Sequence, residues 1–223
     1  MTTIRIMHFS DTLCIWAYLA QVRMDELQAA FGDQVEIEYR LLPVFGSARH
    51  KIDSAWGEED GRRAYCQHIQ RVAEGFDHVA VHPAVWNEVA PHSSLPSHLY
   101  LCAVRLLERD GKLAEGAFVD MAWRIRKAFF ADLQDISAVP VLCDLVEQAG
   151  IPVGQVQGRL DSGEAHAEMA EDMKLARDQL IKASPTLLFN EDRQRLTGNV
   201  GYRIIEANVR ELINRPVGEQ SWC

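Results

Sequence analysis

The tightest constraint on the fold lies between Ile4 and Leu42. Ile4–Phe9 (IRIMHF) is a short apolar-rich run closed by Ser-Asp-Thr, the pattern of a buried strand. Ala20, Met24, Leu27 and Phe31 then share one stripe of a helix, with Gly32 as its stop signal. Val35–Leu42 (VEIEYRLL) alternates Val35, Ile37, Tyr39 and Leu41 with polar neighbours and ends at Pro43, which predicts a second strand. Strand, helix and strand this close together make a βαβ unit.

The start of that helix carries the first chemical signal. Asp11 or Thr12 is placed to accept a bond from the first free backbone N–H groups, and Cys14 is expected in the first turn. Amides there are unpaired and partly positive. They stabilise a thiolate, lowering a cysteine pKa from about 8.5 into the range of about 3.5–7.5. The other reading of Cys14 is a small buried hydrophobe, and position alone leaves both open.

Beyond Pro43 the pattern changes. From about residue 60 to 150 the periodicity is helical, with Leu99, Cys102, Ala103, Leu106 and Leu107 on one face and similar stripes over 118–130 and 139–149. The stretches 43–61 and VHPAVWNEVAPHSSLP read as irregular. The last quarter is mixed. Met169, Met173, Ala176 and Leu180 mark a helix over 164–180, and SPTLLFN (184–190) is a strand entered through Pro185. Residues 193–197 are placed to pair with it as a hairpin, and Ile205, Val209 and Leu212 mark a final helix over 201–214 that Asn199 can cap. The closing PVGEQSWC is expected to be mobile.

Composition narrows the class. The 223 residues suffice for a core without disulfide staples. A net charge of −9 disfavours nonspecific binding to nucleic acid or anionic membranes. The opening MTTIRIMHFSD shows no secretory signal pattern and no apolar run reaches membrane-spanning length, so the expectation is a cytoplasmic protein. Five scattered cysteines are not a disulfide framework and should mostly be thiols in a reducing compartment. Cys66, Cys102 and Cys143 fall on predicted helices, where core packing is the expected role for Cys102 and Cys143, and Cys223 reads as an unpaired tail thiol, with a resolving thiol for Cys14 as its other reading. His8, Asp11 and Cys14 are close in sequence, but a strand-to-helix turn need not point them together. The histidines show no zinc spacing, so no metal site is expected, and His92 and His98 read as solvated or capping. No GxGxxG, phosphate loop or GxSxG occurs.

HFSDTLCIWAYLAQ at the first strand–helix junction, SPTLLFN, and the stretch FFADLQDISAVPVLCDLVEQAGI with LDSGEAHAEMAEDMKLARDQLI together resemble the DsbA-like branch of the thioredoxin superfamily. That branch includes FrnE-like oxidoreductases, kappa-class glutathione transferases and 2-hydroxychromene-2-carboxylate isomerases, and the likeness runs over roughly residues 4–214. The resemblance implies an α/β fold: a thioredoxin-like core from residues 1–45 and 155–223 with a large inserted helical domain, 46–154. It implies that Cys14 is the nucleophile, that Pro185 is cis and packs beside it, and that Ser184 offers backbone groups to a thiol or peptide ligand. Trp16 matches an aromatic found inside many motifs of the branch, with packing at the helix front as its other reading. Gly198-Asn199 resembles the stretch that holds the γ-glutamyl end of glutathione in kappa-like members, with a plain helix cap as the other reading.

Ala17 departs from that pattern. Dithiol members carry a second cysteine there, and alanine cannot resolve a mixed disulfide. What remains is one-thiol chemistry: Cys14 attacks a disulfide and an external thiol such as glutathione releases it. Transferases and isomerases of the branch often have serine at the first position, so Cys14 departs from them as well. Three functions follow. The leading one is a thiol–disulfide oxidoreductase working through Cys14 alone (a CxxA motif), with no tightly bound cofactor and glutathione as co-substrate. The second is a glutathione-dependent transferase or isomerase. The third is a binding protein that kept the fold and lost the chemistry. The expected partners are a thiol or disulfide substrate, small or protein, and neither nucleic acid nor membrane. Some of the similar families dimerise, which allows a homodimer.

Overall fold

The computed structural model describes residues 3–190 and 193–214. Strand β1 (Ile4–Ser10) crosses through helix α1 (Ile15–Phe31) to β2 (Val35–Leu41), and the two strands pair in parallel with Ile6 opposite Ile37. Strand β3 (Thr186–Phe189) lies antiparallel on the other side of β1, Phe9 opposite Thr186. Strand β4 (Gln194–Thr197) pairs with β3 as the expected hairpin and closes the sheet in the order β2-β1-β3-β4. β1 is central, and its second half is buried on both faces. β2 is an edge, with only its two end residues fully buried.

Between β2 and β3 lie α2 (Ala48–Trp56), α3 (Gly61–Ala73), α4 (Leu95–Arg109), α5 (Ala117–Phe130), α6 (Val139–Gln148), α7 (Val153–Asp161) and α8 (Glu164–Asp178), and α9 (Tyr202–Asn214) follows β4. α4 is the hub. It packs against α5, α7 and α8 and buries Leu101, Cys102, Ala103 and Val104 completely. One apolar cluster runs from the first half of α1 through these helices. A second joins Ile4, Ile6, Met24, Leu27, Phe31 and Phe189 to Ile205, Val209 and Leu212 of α9. Among the described residues no helix is long and apolar enough to cross a membrane.

Two expectations are corrected. The stretch 43–61, expected to be irregular, holds α2. That helix buries only Ala48 and Ile52, so its stripe is too thin to register in a polar sequence. The helix expected to run to Leu180 ends at Asp178. Leu180 sits at φ +54° with its side chain 71% exposed, and Ile181 turns into the core instead.

The far half of the β2 edge is closed by side chains. Arg105 Nη1 donates to the Tyr39 carbonyl (2.9 Å), and the Leu41 N–H donates to Asp172 Oδ2 (3.0 Å). Asp172 is fully buried and also accepts from Arg40 Nη1 (2.9 Å) and Arg105 Nη2 (2.8 Å). A buried carboxylate is tolerated when it is paired and fully hydrogen-bonded in this way.

Candidate active site around Cys14

β1 ends at Ser10, and the chain turns through Thr12 and Leu13 before α1 begins at Ile15. Cys14 is therefore the N-cap, one residue earlier than the first turn expected from the sequence. It is extended (φ −86°, ψ 115°), its N–H donates to the Asp11 carbonyl (3.3 Å), and its own carbonyl accepts from Ala17 and Tyr18 (both 3.1 Å). The thiol donates to the Ser184 carbonyl (3.2 Å) and is only 6% exposed.

The loop before β3 meets this turn directly. The Ser184–Pro185 bond is cis. Ser184 Oγ accepts from the Asp11 N–H (2.9 Å), Pro185 is buried, and its carbonyl accepts from Gly198 N–H (2.8 Å). The structure thus brings Cys14, Ser184 and Pro185 together. Trp16 is half-buried in the first turn of α1, edge-on to Phe76 with ring centroids 6.3 Å apart. Asn199 is exposed and accepts from Arg23 Nη1 (2.6 Å), more than two turns along α1 from Cys14, while its neighbour Gly198 is the residue bonded to the Pro185 carbonyl. Ala17 is fully buried beneath the turn.

The groups that hold the Cys14 loop were not legible as a set. Asp11 is completely buried. Its Oδ1 accepts from Leu13 N–H (2.8 Å), and its Oδ2 accepts from Phe45 N–H (2.8 Å) and Ser94 Oγ (2.9 Å). One carboxylate thus joins the loop, the chain after β2 and the start of α4. Burial pushes its pKa up to about 6, against the pull of those bonds and of the Arg126 charge. Thr12 N–H donates to His98 Nε2 (3.2 Å), and Thr12 Oγ1 shares a bond with Ser97 Oγ (2.8 Å). His98 is fully buried rather than solvated, because Thr12 needs an acceptor there. Burial, with Arg126 and Arg105 nearby, pulls its pKa down to about 3, so it is neutral. His8, at the end of β1, is likewise held near about 3 by burial and Arg126.

The thiol itself departs from the expectation of a depressed pKa. Burial pushes Cys14 up, and the Asp11 charge adds to this, while the contact with Ser184 and the Ala17 and Trp16 amides pull the other way without prevailing. Tyr65 from α3 lies close enough for the charges of Cys14 and Asp11 to raise its phenol, in addition to its own burial. Cys14, Cys66, Cys102 and Cys143 are all free thiols, and burial pushes Cys102 up to about 12. Cys223 lies outside the described residues. Among the described residues no group of three or more His, Cys, Asp or Glu side chains is arranged to hold a metal ion.

A βαβ unit continued by an antiparallel hairpin and a last helix, with a cysteine at the head of the first helix facing a cis-proline loop, is a thioredoxin-like arrangement. Here it is interrupted by helices between β2 and β3. The chain belongs to the DSBA-like thioredoxin domain family, whose model matches residues 5–209. A curated relative, the ClpXP adapter protein SpxH of Halalkalibacterium halodurans, is 23% identical over 218 residues, 94% of this chain and 68% of that one. Among solved structures, the cytosolic disulfide reductase DsbM of Pseudomonas aeruginosa superposes with a TM-score of 0.66 at 18% identity, over 93% of this chain and 99% of DsbM. A 2-hydroxychromene-2-carboxylate isomerase superposes with a TM-score of 0.65 at 16% identity, over 94% and 96% of the two chains. These likenesses bear out the DsbA-like relationship and the thioredoxin-like fold.

Proposed function

We propose that this protein is a thiol–disulfide oxidoreductase that works through Cys14 alone, with glutathione as the external thiol. The observation that carries this reading is the placement of Cys14: a lone thiol at the head of α1, 3.2 Å from the Ser184 carbonyl, with Ala17 where a resolving cysteine would stand. In the reaction, the Cys14 thiolate attacks one sulfur of a disulfide, forms a mixed disulfide and expels the other sulfur as a thiolate that takes up a proton. A glutathione thiolate then attacks the glutathionyl or substrate sulfur, and Cys14 leaves as the thiolate. DsbM, solved also with GSH, is the neighbour that supports glutathione as co-substrate and a cytoplasmic setting.

One observation favours the second reading. A protonated Cys14 that donates a hydrogen bond can orient a glutathione thiolate without attacking, as a transferase or isomerase requires, and the isomerase neighbour shares the fold. The experiment is incubation with oxidised glutathione followed by intact mass and peptide mapping. A glutathionyl adduct on Cys14, absent in Cys14→Ser, is the expected result. Tight binding of reduced glutathione with no adduct selects the second reading. Neither result selects a binding protein, the class to which the adapter SpxH belongs by name.

A further inference from the structure

Behind the Cys14 loop lies a buried cation held by neutral acceptors. Arg126 of α5 is 2% exposed. Its Nη2 donates to Ser10 Oγ (2.8 Å) and its Nη1 to Gln21 Oε1 (3.3 Å), both neutral acceptors, and its Nε has no partner. It forms no ion pair with any carboxylate among the described residues, unlike Arg40 and Arg105, which share Asp172. A guanidinium stays charged in proteins. Burying one without a paired anion is unfavourable, so the cation belongs to a longer-range arrangement of charge. The acidic groups that act on it are Cys14, Tyr39 and Asp11.

We propose that Arg126 is a positioning residue for Cys14: a fixed buried cation, anchored by Ser10 and Gln21, that serves as counter-charge to the Cys14 thiolate. The proposal rests on the oxidoreductase reading, in which that thiolate is the working species. The anchoring geometry fixes where the charge sits. Ser10 is the last residue of β1 and Gln21 lies on α1, so Arg126 bridges the two elements whose junction carries Cys14. Among the charged and titratable groups, Asp11 acts on Cys14 from its own loop, Tyr65 from α3 feels both Cys14 and Asp11, and Arg126 from α5 feels Cys14, Tyr39 and Asp11, while His8 and His98 from β1 and α4, which Arg126 acts on, are neutral. Burial pushes the Tyr39 phenol up to about 12, which leaves this one cation two anionic candidates, the Asp11 carboxylate and the Cys14 thiolate. They compete for it, and neutralising Asp11 leaves Arg126 to the sulfur.

The test reads the sulfur directly. Protein labelled with ¹³Cβ-cysteine is titrated from about pH 5 to 11, with Cys14 assigned by its loss in Cys14→Ser. Arg126→Gln moves the Cys14 midpoint up by about one unit, which is about tenfold less thiolate at neutral pH. Arg126→Lys keeps the charge and stays within about 0.3 unit of the wild type, and Asp11→Asn moves the midpoint down. The proposal is overturned if Arg126→Gln leaves the midpoint in place, if Arg126→Lys shifts it as far as Arg126→Gln, or if wild-type Cys14 stays a thiol to pH 11. Should Arg126→Gln fail to fold by circular dichroism, Gln21→Glu supplies the missing carboxylate at Nη1. It is expected to raise the midpoint, and an unchanged midpoint overturns the proposal equally. The wild-type adduct experiment separates the two readings. An adduct with no Arg126 effect removes only the positioning role, and an Arg126 effect with no adduct removes only the oxidoreductase reading.

Discussion

Where β1 begins, Ile4 and Ile6 meet Met24, Leu27 and Phe31 from the later turns of α1 and Ile205, Val209 and Leu212 from α9. Where β1 ends, Ser10, Asp11 and Thr12 meet Arg126, Ser94, Ser97 and His98 through hydrogen bonds. The same strand and helix thus have one end held by apolar burial and the other by buried polar groups. Burial is non-directional and tolerates exchange of one hydrocarbon side chain for another of like volume. Buried hydrogen bonds are directional, and each group left without its partner costs about 1–3 kcal/mol. The apolar end keeps the unit folded. The polar end holds a thiol in one position against the Ser184 carbonyl.

Three substitutions probe this contrast and a fourth serves as a reference outside it, from the largest effect to the smallest. Leu27→Ala, at a fully buried position of the apolar end, should lower stability by about 2–5 kcal/mol in urea unfolding. The Cys14 NMR titration should stay where it was, and a shift there would show that the two ends are not independent. Asp11→Ala strands the donors at Leu13, Phe45 and Ser94 but also removes an unfavourably buried charge, and should cost about 2–4 kcal/mol in all. Here the Cys14 signal should move together with stability. An unperturbed Cys14 signal would mean that Asp11 does not fix the loop.

The third prediction is in pH. An unfolded histidine takes up a proton as pH falls through about 6.5, whereas His98 and His8 resist until about 3. Their contribution to stability is complete above about pH 6.5 and is lost as pH falls toward 3. Asp11 runs the other way. Its folded pKa of about 6 lies above the usual carboxylate value, so the penalty for its charge grows as pH rises through that range. His98→Gln should reduce the acid slope of the urea midpoint between pH 6 and 4 by one proton's worth. A slope equal to that of the wild type would show that His98 is not neutral in the fold. The smallest effect belongs to a site remote from both ends. Leu180→Gly relieves a left-handed conformation and should raise stability by about 0.5 kcal/mol, because the relief outweighs the added chain entropy.

The apolar end was legible in the sequence and the polar end was not, for a physical reason. The stripe Ala20, Met24, Leu27, Phe31 and the alternation from Val35 to Leu41 repeat at the periods of helix and strand, so they show themselves locally. α2 escaped because two buried residues make no stripe, and Leu180 misled because its spacing fitted a helix that had already ended. Asp11, His98 and Arg126 are separated by most of the helical region and have no common period. Asp11 reads as a capping residue and His98 as a solvated or capping one, Arg126 gives no local signal, and only the fold brings the three together at one loop. Cys14 and Pro185 were visible because a strand–helix junction and a proline before a strand are local signals. The dominance of burial over the helix-end amides at Cys14 was not, since it depends on what covers the sulfur.

The closed half of the β2 edge bears on how this protein behaves when crowded with copies of itself. An open strand edge offers rows of N–H and C=O groups on which another chain can add a strand, and sheet extension of that kind is a common route to aggregation. There the Tyr39 carbonyl and the Leu41 N–H are already taken by Arg105 and Asp172, so a foreign strand arriving there finds that acceptor and that donor occupied. The opposite edge, β4, is only four residues long and presents alternating exposed side chains. The sheet is thus blunted on one side by side-chain substitution for a strand and on the other by brevity. A concentrated solution of the folded protein should therefore resist fibril growth through its sheet.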